Sequence, residues 1–360
     1  MWTGASLLSD SIEIQSSKGP YTAGFFSAPE ECFKDIPANS FLIVDTNVYS
    51  LYPNCFSGFN LLLINADENS KSLHELTPLV ESLLQKGLRR GDRLVGVGGG
   101  ITQDITAFLA STLFRGLEWS FVPTTLLAQA DSCIGSKSSI NVGRFKNLMG
   151  TFNPPAEIKI APAFLKTLKE EDIHSGIGEI IKVHMIDSPE AFLELEKDFS
   201  RLLTDFDLLK AYIAKSLRIK KKIIEVDEFD RNVRNILNYG HSFGHAIESA
   251  TDFAVPHGIA VTIGMDMANY VSARMNFWSE AEFQQYHALL RRNSLRFFEH
   301  PVRIEKFIAA IATDKKNAKD HLNLILPKTG GKLEKTAVVN DERFKEICGE
   351  YFNFVRLGDL

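Results

Sequence analysis

The first half of the chain alternates short apolar runs with helical patterns. Phe41-Leu42-Ile43-Val44 reads as a buried strand ending at Asp45-Thr46-Asn47, and Leu61-Leu62-Leu63-Ile64 reads as another. Leu76, Leu79, Val80, Leu83 and Leu84 share one face at helical spacing, which predicts a helix over 76–84. Arg93 to Val97 is a third strand, stopped by Gly98-Gly99-Gly100, and a helix follows from about Thr102 to Leu113. Trp119 to Pro123 is a fourth strand. Strands alternating with helices imply a parallel sheet covered by helices on both faces.

After Pro154-Pro155 the segments lengthen and turn helical. Helices are predicted over 170–185, 191–206, 208–226, 241–251, 259–275 and 281–290. The change divides the chain into an α/β domain at 1–155 and a mainly α-helical domain at 156–360. A length of 360 residues independently favours two domains over one core.

Composition narrows the class. An apolar fraction of 44% and a charged fraction of 24% are those of a globular protein. The net charge of -5, with no long basic run or recognition motif, argues against a nucleic-acid partner. Lys220-Lys221-Lys222 is the densest basic run; on composition it is a solvated helix face before it is an anion site. Cys32, Cys55, Cys133 and Cys348 are scattered without a CxxC, which fits a reducing compartment. No signal peptide is legible, and no stretch approaches the roughly 18 apolar residues of a membrane helix. A cytoplasmic protein with no membrane partner is expected.

Candidate chemistry concentrates in a few places. Gly98-Gly99-Gly100 closes a strand and opens a helix, so bare backbone N–H groups and the helix dipole could face a phosphate. It is neither G-x-G-x-x-G nor a P-loop, and a tight turn is the plainer alternative. Asp45, Asn47 and Pro123-Thr124-Thr125 also end strands, a pattern that favours a dinucleotide crevice. His241 and His245 stand four apart on a helix, and His257 follows, so three of the nine histidines fall within seventeen residues. Imidazole is a common ligand for catalytic metals, and geometry alone makes His241 and His245 both ligands. Glu179 and Lys182 lie one turn apart on a helix otherwise rich in Ile; spacing alone favours a surface pair over site residues. Asp131, Lys137, Lys146, Asn147, Arg115, Lys220 and Arg234 supply an acid, an amide and many cations near element ends, as a polyanionic, hydroxylated substrate needs.

These motifs, in this order, resemble the dehydroquinate synthase family of sugar-phosphate cyclases. The resemblance runs from about Asp45 to Lys316 and rests on Gly98 to Asp104, Arg115-Gly116, Val122 to Gln129, Asp131 to Lys137, Lys146-Asn147, Gly178 to Lys182, Asn238 to His245 and His257-Gly258. It implies a Rossmann-like NAD-binding α/β domain followed by a helical metal- and substrate-binding domain. It implies Glu179, His241 and His257 as ligands of a divalent metal, usually zinc, with cobalt as the other candidate. His245 is then a catalytic residue beside the metal, with Lys137, Lys182, Asp131 and Asn238. Arg115, Asn147, Lys146, Lys220, Arg234 and Lys316 (or its neighbour Lys315) would bind substrate. Asp45, Asn47, Glu68, Lys71, Gly99, Gly100, Asp104, Thr124 and Thr125 would line the NAD site. Arg115 often acts from the neighbouring subunit in this family, which implies a homodimer.

The implied reaction is the conversion of 3-deoxy-D-arabino-heptulosonate 7-phosphate to 3-dehydroquinate and phosphate. It proceeds by transient oxidation, β-elimination of phosphate, reduction and aldol closure. The alternatives are a secondary-metabolism cyclase for an amino-dehydroquinate, 2-deoxy-scyllo-inosose or valiolone product, a metal-dependent polyol dehydrogenase of similar fold, and a non-catalytic paralogue. Several positions depart from the family: Gly135-Ser136-Lys137-Ser138 stands for Gly-Gly-Lys-Thr, Asp227-Glu228-Phe229-Asp230 for Asp-Glu-Arg-Glu, and Ile259 for the acid of His-Gly-Glu. The segment between Glu179 and His241 is also short, and the first forty residues match weakly. Loss of the acid at 259, next to a ligand, suggests an altered environment for His257.

Overall fold

The computed structural model describes residues 11–143, 145–297, 300–312 and 321–355. The chain divides into two compact units, one formed by 1–168 with 213–229, the other by 169–212 with 230–360. The first unit therefore runs past the boundary expected at 155 and takes back a later helical segment.

In the first unit the elements are β1 (Ser11–Ile14), β2 (Tyr21–Phe25), β3 (Ser40–Asp45), α1 (Thr46–Leu51), β4 (Asn60–Ile64), α2 (Leu73–Gln85), β5 (Arg93–Gly98), α3 (Gly100–Thr112), β6 (Glu118–Pro123), β7 (Lys137–Val142), β8 (Phe145–Phe152) and β9 (Glu157–Ile160). Seven strands form one sheet in the order β1-β2-β9-β6-β5-β3-β4, parallel except for β1 against β2. The four strands and two helices predicted here all form. The apolar runs of β3, β5 and β6 are buried on both faces, as a parallel sheet requires, with Leu42, Val44, Val95, Val97 and Val122 all in the core, whereas Leu63 of the edge strand β4 is exposed. The weakly matching N-terminus contributes the antiparallel edge pair, and β7 and β8 form a separate hairpin.

The β5–α3 junction is tighter than expected. A Cβ on Gly96 would meet Thr106 Oγ1 at 2.8 Å, and one on Gly98 would meet Thr102 Oγ1 at 2.4 Å. The missing side chains let α3 lie directly on β5. The helix then starts at Gly100 rather than Thr102, with Gly99 as its cap, so the glycines themselves form the helix end.

The second unit is built mainly from helices: α4 (Glu170–Asp187), α5 (Pro189–Leu202), the start of α6 (Phe206–Val226), α7 (His241–Ala250), α8 (His257–Arg274), α9 (Glu280–Ser294), α10 (Ile304–Ala312) and α11 (Glu342–Glu350). Between α10 and α11 lies a hairpin, β10 (His321–Pro327) with β11 (Leu333–Val339). The six predicted helices form. One ends early: the run expected to 206 stops at Leu202, because Asp205 caps α6 by accepting from Leu208 N at 3.0 Å. Helix α8 is buried along nearly its whole length, and α4, α7, α9 and α11 pack against it. Among the described residues no helix is long and apolar enough to cross a membrane.

Candidate active site and metal centre

Two glycines build the metal centre. A Cβ on Gly178 would lie 2.2 Å from the Gly258 carbonyl oxygen, and one on Gly258 would lie 1.9 Å from that of Ser175. Helices α4 and α8 therefore touch backbone to backbone, and Ser175 Oγ accepts from Gly258 N at 2.9 Å. This contact sets Glu179 of α4 beside His257, the first residue of α8. His241, the first residue of α7, completes the group. His241 Nε2 and His257 Nε2 lie 3.8 and 3.7 Å from Glu179 Oε1. One ligand atom from each residue falls within 4.8 Å of the others.

Glu179 and Lys182 are 1% and 2% exposed, and the ammonium contacts Glu179 Oε2. The surface pair favoured by spacing alone is thus overturned: both charges are buried, and each offsets the desolvation of the other. The same position faces inward because α4 is enclosed from Ser175 to Met185, so its Ile flanks mark a buried helix rather than one apolar stripe.

The histidines are oriented through their other ring nitrogens. His241 Nδ1 is 3.2 Å from the Tyr239 carbonyl oxygen, and His257 Nδ1 is 3.3 Å from Glu248 Oε2. With Nδ1–H donating, each Nε2 presents a lone pair toward Glu179. Burial, then the Lys182 cation and the neighbouring imidazoles, hold the His241 pKa well below its usual value, so the ring is kept neutral. Burial lowers that of His257 too, but the Glu248 and Glu179 carboxylates outweigh it and raise it. Two half-buried imidazoles and a buried carboxylate, with converging donor atoms, suit a zinc- or cobalt-type cation and leave positions for substrate.

Glu248 is the functional residue that sequence reasoning passed over. Its signal was available: it lies seven residues after His241 and three after His245, on the same helical face. It also corrects the expectation at Ile259. That side chain is only 1% exposed, while the acid facing His257 comes from α7 instead. Glu248→Gln should weaken divalent-metal binding by roughly 10–100-fold; competition against a chelator measures it. His245 is exposed on α7, with its ring 5.6 Å from that of His241 and 5.7 Å from that of His257. His245, Glu248 and His257 form a second group of clustered donor atoms. Geometry thus separates His245 from the Glu179 group, where the i, i+4 spacing had paired it with His241. Arg234 is buried and Asn238 half-buried in the turn before α7, and Asn238 Nδ2 donates to the Asn235 carbonyl oxygen at 3.1 Å.

In the first unit the expected cofactor residues gather at the carboxyl ends of β3, β5 and β6. Asp45 Oδ1 accepts from Asn47 N at 2.9 Å and caps α1; burial raises its pKa. A Cβ on Gly99 would touch Thr125 Cγ2 at 3.0 Å, and Thr124 N donates to the Gly98 carbonyl oxygen at 2.9 Å. Gly99, Gly100, Thr124 and Thr125 therefore line one edge around the α3 N-terminus, where an anion is favoured. Lys71 is buried and donates to Asp104 Oδ2 at 3.0 Å and to Asn147 Oδ1 at 2.9 Å. Glu68 lies 3.8 Å from both Lys71 and Lys146. Burial raises the Asp104 pKa, opposed by Lys71 and Ser139. The structure thus joins expected cofactor residues (Glu68, Lys71, Asp104) with expected substrate residues (Lys146, Asn147) in one network.

Lys220 donates to the Asp131 backbone oxygen at 2.6 Å and pairs with its carboxylate at 2.8 Å. It is buried, whereas Lys222 is exposed, so the basic run is part paired cation and part solvated face. Lys137 is exposed at the start of β7. Arg115 is exposed in a turn where Phe114 and Arg115 have φ of 51° and 67°. Such backbone is costly without glycine and recurs at functional positions. Lys315 and Lys316 lie outside the described residues. All four cysteines are free and buried, and burial pushes the Cys133 thiol up to about 12, which removes it as a nucleophile.

The chain is similar to known proteins over most of its length. A family model described as 3-dehydroquinate synthase N-terminal matches residues 61–175, and one described as 3-dehydroquinate synthase C-terminal matches 176–317. The curated 3-dehydroquinate synthase of Dictyoglomus thermophilum is 37% identical over 332 residues, spanning 90% of this chain and 92% of that protein. That of Helicobacter pylori strain P12 is 35% identical over 291 residues, spanning 80% and 83%. Among solved structures, a 2-deoxy-scyllo-inosose synthase complexed with carbaglucose-6-phosphate, NAD+ and Co2+ superposes with a TM-score of 0.82 at 24% identity, covering 95% of this chain and 99% of that one. A 2-epi-5-epi-valiolone synthase from Streptomyces hygroscopicus with NAD+ and Zn2+ bound gives 0.80 at 23% identity, covering 92% and 96%.

Proposed function

The chain belongs to the 3-dehydroquinate synthase family, and on that premise we propose that it converts 3-deoxy-D-arabino-heptulosonate 7-phosphate to 3-dehydroquinate and inorganic phosphate. The observation that carries the reading is the convergent Glu179–His241–His257 group with buried Lys182 against its carboxylate. Identity of 37% with a curated 3-dehydroquinate synthase, against 24% with the cyclase of most similar fold quoted above, favours this substrate over others of the family.

When bound, NAD supplies transient oxidation of a secondary alcohol with return of the hydride in the same turnover, and a divalent cation polarises the oxygen concerned. Glu179, His241 and His257 would hold the cation, and Gly99, Gly100, Thr124, Thr125, Asp45, Asn47, Glu68, Lys71 and Asp104 would hold NAD. Lys182, Asp131 and Asn238 orient hydroxyl and carboxylate groups of the substrate. Lys137, Lys146, Asn147, Lys220, Arg234 and Arg115 neutralise its anionic groups and stabilise the departing phosphate. His245 exchanges a proton with the substrate. The net change is loss of phosphate and closure of a carbocycle, with no net redox. Such an enzyme is a phosphate-eliminating carbon–oxygen lyase. We place it in the cytoplasm as a homodimer, in which Arg115 serves the neighbouring copy.

A panel of purified sugar phosphates tests the reading. Phosphate should be released from the heptulosonate phosphate and not from glucose 6-phosphate or sedoheptulose 7-phosphate. Release from one of the latter alone would assign another cyclase, and net NADH formation from a simple polyol would assign a dehydrogenase.

A further inference from the structure

The departure at Ser136 leads to a device in the first unit. Gly135 and Ser136 have φ of 113° and 66°. The first is natural for glycine; the second places a side chain in the left-handed region, which L residues resist. Ser136 Oγ donates to Glu228 Oε1 at 2.6 Å. Glu228 lies just beyond the end of α6, and its carboxylate also accepts from Ser16 Oγ at 2.6 Å and Ser17 N at 2.7 Å. Tyr21 OH accepts from Gly135 N at 3.1 Å. Asn153 N donates to the Ser136 carbonyl oxygen at 2.7 Å, and Lys18 Nζ donates to Asn153 Oδ1 at 2.8 Å. At the other end of the same loop, Lys220 of α6 holds Asp131 by both its carboxylate and its backbone oxygen.

We infer that α6 and the turn between β1 and β2 form a two-point clamp on the loop 131–137. Glu228, Ser136 and Ser16 are positioning residues that fix the register in which Lys137 meets the substrate. The clamp explains three features together. The N-terminal strands, which match the family weakly, have a task specific to this chain. The serine at 136 is tolerated in left-handed backbone because its hydroxyl is anchored. The later segment 213–229 packs with the first unit because both of its loop contacts are made there. Burial opposes ionisation of Glu228, but the hydrogen bonds from Ser136, Ser16 and Ser17 outweigh it and hold its pKa below the usual range, as expected of an acceptor tied on several sides.

The role of Lys137 rests on the proposed function; the clamp itself does not. The test uses NAD- and metal-loaded protein with two readouts, phosphate-release kinetics and amide hydrogen exchange. Glu228→Ala should raise KM for the heptulosonate phosphate by about tenfold or more, the scale of losing charged hydrogen bonds, with a smaller change in kcat. Exchange in a peptide covering 131–138 should accelerate by a similar factor, with β3 to β6 unchanged. Glu228→Gln, which keeps one acceptor oxygen, should fall between. Ser136→Ala should be worse than Ser136→Gly, since alanine keeps the unfavourable φ without the anchor. Unchanged exchange at 131–138 in both Glu228→Ala and Ser136→Ala overturns the clamp, as does equal acceleration across the whole unit. If the wild type releases no phosphate, the substrate reading fails while the exchange comparison still decides the clamp.

Discussion

His257→Ala should lose bound metal and turnover together. His257 supplies one of only three protein donors in the Glu179 group. It also connects that group to Glu248. Its removal should cost more than the roughly 10–100-fold in affinity typical of residues that merely orient a ligand. Metal analysis of the purified variant, beside phosphate release at saturating NAD, measures both. Full metal content with lost activity would reassign the residue to substrate chemistry and leave the second group, His245 with Glu248, as the place to look.

The second large effect concerns stability. Lys182→Met should destabilise the metal-free protein by about 3–5 kcal/mol, because it leaves the Glu179 carboxylate buried without its cation. Glu179 is 1% exposed and cannot recover hydration by a small movement. Added zinc should restore part of the loss, since a bound cation replaces the missing charge and binding to the native state adds stability by mass action. Denaturant melts with and without metal, on wild type and variant, test this. A variant as stable as wild type in the presence of a chelator would mean that Glu179 is neutral in the metal-free protein.

Much of this architecture was legible in the sequence. The parallel sheet followed from the apolar runs at 41–44, 61–64 and 93–97; the first and third are buried on both faces and show no alternation, while Leu63 on the edge strand β4 is exposed. The six helices from 170 to 290 followed from their periodicity. The strands at 11–25 and the hairpins at 137–152 and 321–339 were not foreseen. Along β8 the residues are largely exposed, so no buried face marks that strand in the pattern, and the other strands are short segments of mixed polarity. At the metal centre, residue types and order were legible through the family motifs, but spacing alone misplaced Glu179 and Lys182 on the surface. Spacing reports which residues share a helical face. Burial depends on what packs there, and here that is decided by the Gly178–Gly258 contact between helices far apart in the chain. Glu248 is nine residues from His257 in sequence and meets it only because α7 and the start of α8 pack together, which no local pattern shows.

The central claim is a cyclase that uses NAD without consuming it. Its most direct test is one reaction of purified protein, zinc and a catalytic amount of NAD with 3-deoxy-D-arabino-heptulosonate 7-phosphate, following phosphate, 3-dehydroquinate and NADH together. Phosphate and dehydroquinate should form in equal amounts, with many turnovers per NAD and no accumulated NADH. Absence of phosphate release, or NADH formed in step with product, would contradict the claim.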